Sequence, residues 1–282
     1  MSEQMDRVLG IIGYPISHSI SPIFQQAALN YVGIKAKYLA WETPAGNLSE
    51  RINSLKESGV IGANVTVPHK QSVLPLLNDL SKTARAIGAV NTIVNDQGVL
   101  YGHNTDVYGF MKSLQIEADF QSNGKSALVL GAGGSAKAIV YGLLGDGIKK
   151  LVISNRTPSR AVQLKKELGN PENVLVAMPE STDMLHHHDL IVNCTTLGMK
   201  NGPGEDKSPI SLQHISETSL VYDLVYNPQK TPLINQAMEI GAQAISGLTM
   251  LIYQGAEAFR LWTGINPPTD VMLQAAEKAL KG

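Results

Sequence analysis

A single cysteine, Cys194, stands among the 282 residues, so an internal disulfide framework and a cysteine zinc cluster are both excluded. Such a chain suits a reducing, cytoplasmic setting. No apolar run reaches the roughly 18 residues that a membrane helix requires. The opening MSEQMDRVLGIIG also lacks the basic, apolar and small-residue succession of a signal peptide. Excess charge is missing as well: 23 Lys and Arg face 24 Asp and Glu, which leaves no footprint for nucleic acid or an anionic membrane. The expected partners are therefore small neutral molecules, or anions held locally. The chain shows no repeat of fixed short period and no low-complexity segment.

What is present is an alternation of short apolar runs with amphipathic stretches, the pattern of parallel strands joined by crossover helices. The length suggests two domains of an α/β protein. In the first third, VLGIIG (8–13), AKYLAWE (36–42), NVTV (64–67) and NTIV (91–94) read as strands, with helices near 21–32, 47–58 and 70–86 between them. GVLYGHN (98–104) follows NTIVND through an Asp-Gln-Gly turn, which predicts an antiparallel pair. A helical segment from Thr105 leads into the polar stretch 117–125, which reads as an interdomain hinge. A second strand and helix series then runs through SALVL (126–130), LVIS (151–154), LIVNCTT (190–196) and SLVYDLVY (219–226).

The run SALVLGAGGSAKAIVYGLL (126–144) is a strand, a glycine turn and a helix. Gly131, Gly133 and Ala136 fill the three small positions of G-x-G-x-x-G/A. The first makes the tight turn, the second admits a pyrophosphate to the backbone, and the third lets helix and strand pack closely. The phosphate then meets the free N–H groups and positive end of the helix. Glycines in such a turn can also be purely structural, but the strand before and the helix after favour a dinucleotide. The next strand ends in SNRTPSRA (154–161), without the acidic residue that accepts from the ribose 2′-hydroxyl of NAD. Asn155, Arg156, Thr157 and Arg160 offer an amide, a hydroxyl and two guanidinium forks suited to a 2′-phosphate, so NADP is expected rather than NAD. The alternative is two solvated arginines at a helix start.

A hydride carrier in one half calls for a substrate and a proton donor in the other. GANVTVPHK (62–70) delivers Lys70 at a strand end, and GHNTD (102–106) places Asp106 past another strand end, where a carboxylate suits a helix dipole. If the sheet order joins these ends, an ammonium can stabilise and protonate a ketone oxygen while the carboxylate holds it. Otherwise Asp106 caps a helix and Lys70 is solvated. In YPISHSISP (14–22), Ser17 and Ser19 stand two apart, so both hydroxyls can face a carboxylate. Asn64, Thr66 and Asn91 can meet hydroxyl groups of a substrate, although such residues at loops are also plain turn formers.

Together the blocks GYPISHSISP, GANVTVPHK, IGAVNTI, GHNTD, GAGGSAKA, NRTPSRA, NCTTLGM, DLVYNP and GLTMLIYQGAEAF resemble the quinate/shikimate dehydrogenase family in order along nearly the whole chain. The resemblance implies an N-terminal α/β substrate domain with a mostly parallel sheet (1–106 with 247–282) and a Rossmann-like NADP-binding domain (107–246), with a cleft between them. It implies reduction of 3-dehydroshikimate to shikimate by NADPH, in the pathway to chorismate and the aromatic amino acids. By position it makes Lys70 and Asp106 the catalytic pair and Ser17 and Ser19 the carboxylate-binding hydroxyls. Asn64, Thr66, Asn91 and Gln254 become partners of the ring hydroxyls, with Tyr226 near the carboxylate. The glycine loop Gly131, Ala132, Gly133, Gly134, Ser135 and Ala136 would carry NADP with Asn155, Arg156, Thr157 and Arg160. Val225, Gly247 and Met250 would line the nicotinamide side. The chain is expected to act as a monomer or homodimer.

Other features are expected to be incidental. His186, His187 and His188, read as successive residues of a helix, point different ways and lack partner ligands, so no metal is expected. Cys194 reads as packing, and His18 and His69 as structural. A broader quinate/shikimate dehydrogenase and a non-catalytic NADP-binding protein are the competing readings. Retention of both Lys70 and Asp106 argues against the latter.

Overall fold

The computed structural model describes residues 7–178 and 181–281; the first six residues of the signal-peptide reading lie outside it. The chain forms two compact units, Met1–Gly109 with Ile252–Gly282, and Phe110–Leu251.

The first unit contains β1 (Arg7–Gly13), α1 (Ser21–Tyr31), β2 (Ala36–Glu42), α2 (Leu48–Ser54), β3 (Val60–Val65), β4 (Asp79–Leu80), α3 (Lys82–Ile87), β5 (Thr92–Asp96) and β6 (Val99–His103). Its sheet has the order β2-β1-β3-β5-β6-β4. β1 is parallel to β2 and β3, whereas β5 is antiparallel to β3 and to β6. The register joins Asn64 to Thr92 and Thr92 to His103. The end of β3, the start of β5 and the end of β6 therefore share one edge, and the segments bearing Lys70, Asn91 and Asp106 all leave from it.

The stretch 70–86 is not one helix. It holds a 3₁₀ turn (Leu74–Leu76), β4 and then α3, which begins where the Ser81 hydroxyl accepts from Ala84 N–H at 3.1 Å and ends at left-handed Gly88. Pro75 interrupts helical hydrogen bonding, and Asn78 N–H instead bonds Leu100 O across the sheet. β3 likewise runs earlier than the NVTV reading, leaving Thr66 and Val67 in the turn beyond it.

α4 (Asp106–Ala118) leads into the second unit, with β7 (Ser126–Leu130), α5 (Gly134–Gly145), β8 (Lys150–Ser154), α6 (Pro158–Glu167), β9 (Val174–Ala177), β10 (Leu190–Asn193), β11 (Leu220–Asp223), α7 (Pro232–Glu239) and β12 (Gln243–Ser246). The strands form a parallel sheet of order β12-β11-β10-β7-β8-β9. Buried runs such as Ala127–Leu130 and Leu190–Asn193 are what a parallel sheet covered on both faces requires. The order reverses between β7 and β10, the switch point where such sheets open a crevice beyond their carboxyl ends. β9 and β12 have no counterpart in the sequence reading; each has four residues and lies at a sheet edge, too short for a periodic signal. The polar stretch 117–125 lies inside this unit, whose boundary falls within α4.

α8 (Leu248–Thr263) and α9 (Thr269–Lys281) return the chain to the first unit. Gln25 Nε2 donates to Gly255 O at 2.9 Å, and Trp262 Nε1 to Ile93 O at 2.9 Å, so α8 is bonded to both α1 and β5. Among the described residues, no helix is long and apolar enough to cross a membrane.

Candidate active site

At the shared edge of the first sheet, Lys70 Nζ lies 2.6 Å from Asp106 Oδ2. Val90 N–H donates to Lys70 O at 2.8 Å, which fixes the lysine backbone against the start of β5. Asp106 opens α4 but does not cap it through its carboxylate; its other oxygen, Oδ1, accepts from Asn91 Nδ2 at 2.8 Å. The side chains of Lys70 and Asp106 are only 15% and 6% exposed, so the pair lies in a largely dehydrated setting where electrostatic interactions are strong.

The orientation of the Asn91 amide follows from its neighbours. Its Oδ1 accepts the backbone N–H of Thr105 at 2.7 Å, and a backbone N–H can only donate. The opposite atom must then be the nitrogen, which faces Asp106, Thr105 Oγ1 at 2.9 Å and Gln254 Oε1 at 3.2 Å. Asn64 is buried beside it: Nδ2 donates to Asn91 O at 3.1 Å and Thr92 Oγ1 at 3.2 Å, while Oδ1 accepts from Tyr38 Oη at 2.7 Å. Lys70, Asp106, Asn91, Gln254 and Asn64 thus form one connected set. Thr66 lies half-buried just past β3, its N–H on Ile12 O at 2.9 Å. Ser17 is exposed and Ser19 half-buried in the loop before α1, where Ser19 Oγ accepts from Ser21 N–H at 3.3 Å; these two are not bonded to the Lys70 set.

In the second unit, Gly131 has φ +112°, and a Cβ there would stand 3.2 Å from both Cys194 C and O, so only glycine suits this turn. A Cβ on Gly133 would meet nothing within 4 Å, and no side chain caps α5 at that residue. The open cradle and uncapped N–H groups suit the oxygens of a pyrophosphate. Ala136 is buried under the loop. Beyond β8, Asn155 Nδ2 donates to Thr157 O at 2.8 Å, and Arg156 and Arg160 are exposed without an acidic partner among the described residues. After β11, Val225 and Met250 are buried, and a Cβ on Gly247 would overlap the Leu224 carbonyl. Burial raises the Tyr226 phenol above its usual range, so it is a neutral hydroxyl at physiological pH.

Residues 11–93 match the model of the shikimate dehydrogenase substrate binding domain, 114–200 that of shikimate/quinate 5-dehydrogenase, and 247–277 that of the shikimate 5′-dehydrogenase C-terminal domain. The NADP(+) shikimate dehydrogenase of Moorella thermoacetica is 41% identical, over 97% of this chain and 93% of its own. The chain belongs to the shikimate dehydrogenase family. That of Geobacillus kaustophilus is 37% identical over 98% of this chain and 100% of its own. A crystal structure of shikimate 5-dehydrogenase from Thermus thermophilus, in complex with NADP(H) and shikimate, superposes with a TM-score of 0.88 at 35% identity, covering 97% of this chain and 100% of that one.

Relative to the family blocks read from the sequence, the structure adds Tyr38, Thr92 and Thr105 as supports of Asn64 and Asn91. Thr105 stands inside GHNTD and was open to notice; Tyr38 lies two strands from β3, and only the sheet order brings it to Asn64. His69 is buried, with Nε2 2.6 Å from Thr43 O, whereas His18 is exposed. The histidine triplet departs from the helical reading: His186 is extended, His187 has φ +59°, and His188 is buried with Nε2 2.9 Å from Met184 O. Helical hydrogen bonding has already ended at Leu185. Cys194 packs on the core beneath the glycine loop, and burial together with the Asp223 charge pushes its thiol far up.

Proposed function

We propose that this chain catalyses the reversible, NADPH-dependent reduction of 3-dehydroshikimate to shikimate. The observation that carries the reading is the Lys70–Asp106 pair, 2.6 Å apart and tied to Asn91 and Gln254, in a chain of the shikimate dehydrogenase family. Lys70 and Asp106 are the catalytic residues of this reading. NADPH, when bound, supplies the hydride. As charge develops on the substrate carbonyl oxygen, the Lys70 ammonium stabilises it and gives up a proton. In the reverse direction neutral Lys70 takes the hydroxyl proton back. Both Asp106 oxygens already accept hydrogen bonds, so Asp106 holds and orients the ammonium.

The first unit takes the substrate and the second the cofactor. Ser17 and Ser19, with Tyr226, are assigned to the carboxylate, and Asn64, Thr66, Asn91 and Gln254 to the ring hydroxyls. Gly131 to Ala136 receive the pyrophosphate. Arg156 and Arg160, free of acidic partners among the described residues, receive the 2′-phosphate with Asn155 and Thr157. Val225, Gly247 and Met250 are assigned to the nicotinamide side. A spectrophotometric assay tests this: shikimate-dependent reduction of NADP+ is expected, with slower turnover of quinate and poorer use of NAD+. Absence of turnover with any cyclohexene or cyclohexane acid would overturn it. The cytoplasm is the proposed location, and a monomer or homodimer the proposed assembly.

A further inference from the structure

A second buried polar network occupies the carboxyl edge of the parallel sheet. Asp223 ends β11 with no exposure to solvent. Unlike Asp106 it has no cationic partner among the described residues, and burial raises its carboxyl above the usual range. Three donors converge on it from three segments. Asn193 Nδ2, at the end of β10, reaches Oδ1 at 2.9 Å. Val225 N–H, in the loop after β11, reaches Oδ1 at 3.0 Å. Thr231 Oγ1, at the start of α7, reaches Oδ2 at 2.6 Å. Thr231 Oγ1 also accepts Ile234 N–H at 3.2 Å, so its own hydrogen is directed at the aspartate. All three bonds need Asp223 as acceptor, which its ionised form satisfies.

The network continues to the switch point. Asn193 Oδ1 accepts both the N–H and the hydroxyl of Thr195, at 2.9 and 2.7 Å. Cys194 N–H donates to Leu130 O at 2.8 Å, and the segment packs against Gly131, the first glycine of the cradle. The loop after β10 therefore rests on the glycine loop on one side and, through Asn193, on Asp223 on the other. A carboxylate without a cation is expensive to bury, and here three hydrogen bonds offset that cost by joining the segments around the crevice.

We infer that Asp223 is a positioning residue for the cofactor: its carboxylate fixes the 193–198 and 224–231 segments so that the crevice beside the glycine loop is formed before NADPH arrives. The inference rests on the cofactor assignment above and gives Asp223 no contact with substrate or nicotinamide. Preorganisation of this kind acts on affinity, because loops already ordered lose less freedom on binding.

The test is the dissociation constant of NADPH for the full-length protein without substrate, followed by nucleotide fluorescence, alongside thermal unfolding. Asp223→Asn places an amide N–H among three donors, and Thr231→Val removes one donor while keeping the shape. Each is expected to weaken NADPH binding at least about tenfold, the size of a lost buried bond to a charged group. Thr231→Ser keeps the hydroxyl and should stay within about twofold of the parent. If Asp223→Asn fails to fold, the Thr231 pair carries the test alone. Lower melting temperatures with unchanged NADPH affinity would overturn the inference, since a merely structural role gives that result. A parent protein that binds no NADPH would overturn the cofactor assignment itself, which is a separate and recognisable outcome.

Discussion

Asn91 donates to Asp106 across 2.8 Å, and the Thr105 backbone N–H permits no other orientation of the amide. The carboxylate thus has one oxygen on a neutral donor and the other on Lys70. Replacing Asn91 by Ala leaves Asp106 Oδ1 buried and short of a partner, at a cost of about 1–3 kcal/mol. Steady-state kinetics should show kcat/KM for shikimate falling by about tenfold or more, with KM for NADP+ little changed.

Lys70→Ala should lower kcat by at least about 10²-fold while KM for shikimate changes little, because general acid–base help acts in the transition state. A large KM effect with kcat intact would make Lys70 a binding residue instead.

Arg156→Ala should reduce the preference for NADPH over NADH, chiefly by raising KM for NADPH. Removal of a guanidinium that pairs with a phosphate is the reason. An unchanged ratio of kcat/KM for the two cofactors would refute the 2′-phosphate assignment.

Burial lowers the titration of His103, His188 and His214 below the ordinary 6.5. A base depressed in the folded state takes up protons more readily when unfolded, so its stabilising contribution is complete above about pH 6.5 and is lost as pH falls further. Melting temperature should therefore drop between about pH 7 and 5. His188→Gln, which cannot titrate but keeps an N–H for Met184 O, should flatten that decline.

The Ser113 hydroxyl donates to Phe110 O at 2.8 Å, so the buried Tyr222 hydroxyl donates to Ser113 Oγ at 2.7 Å. Tyr222→Phe deletes that bond and the one the hydroxyl accepts from the Met250 backbone, without a cavity, and should cost about 1–3 kcal/mol in chemical denaturation. Activity should be retained.

The alternation of apolar runs, the glycine turn and the missing acidic residue after LVIS were legible because each depends on local spacing. A strand leading into Gly131 and a helix leaving Gly134 need only neighbouring residues to declare themselves. The family blocks added the identity of Lys70 and Asp106, but on spacing alone a poised ammonium and a solvated one read alike. Their union depends on β5 entering the sheet antiparallel between β3 and β6, which brings residues 36 positions apart to 2.6 Å. The same holds for Tyr38 on Asn64 and for the three donors on Asp223, whose partners come from separate strands and loops. Local sequence determined the elements and the chemistry they carry, since backbone preferences and side-chain periodicity act over a few residues. The tertiary structure decided which polar groups share a buried site, because sheet order and register set those distances and burial makes an unpaired polar atom costly.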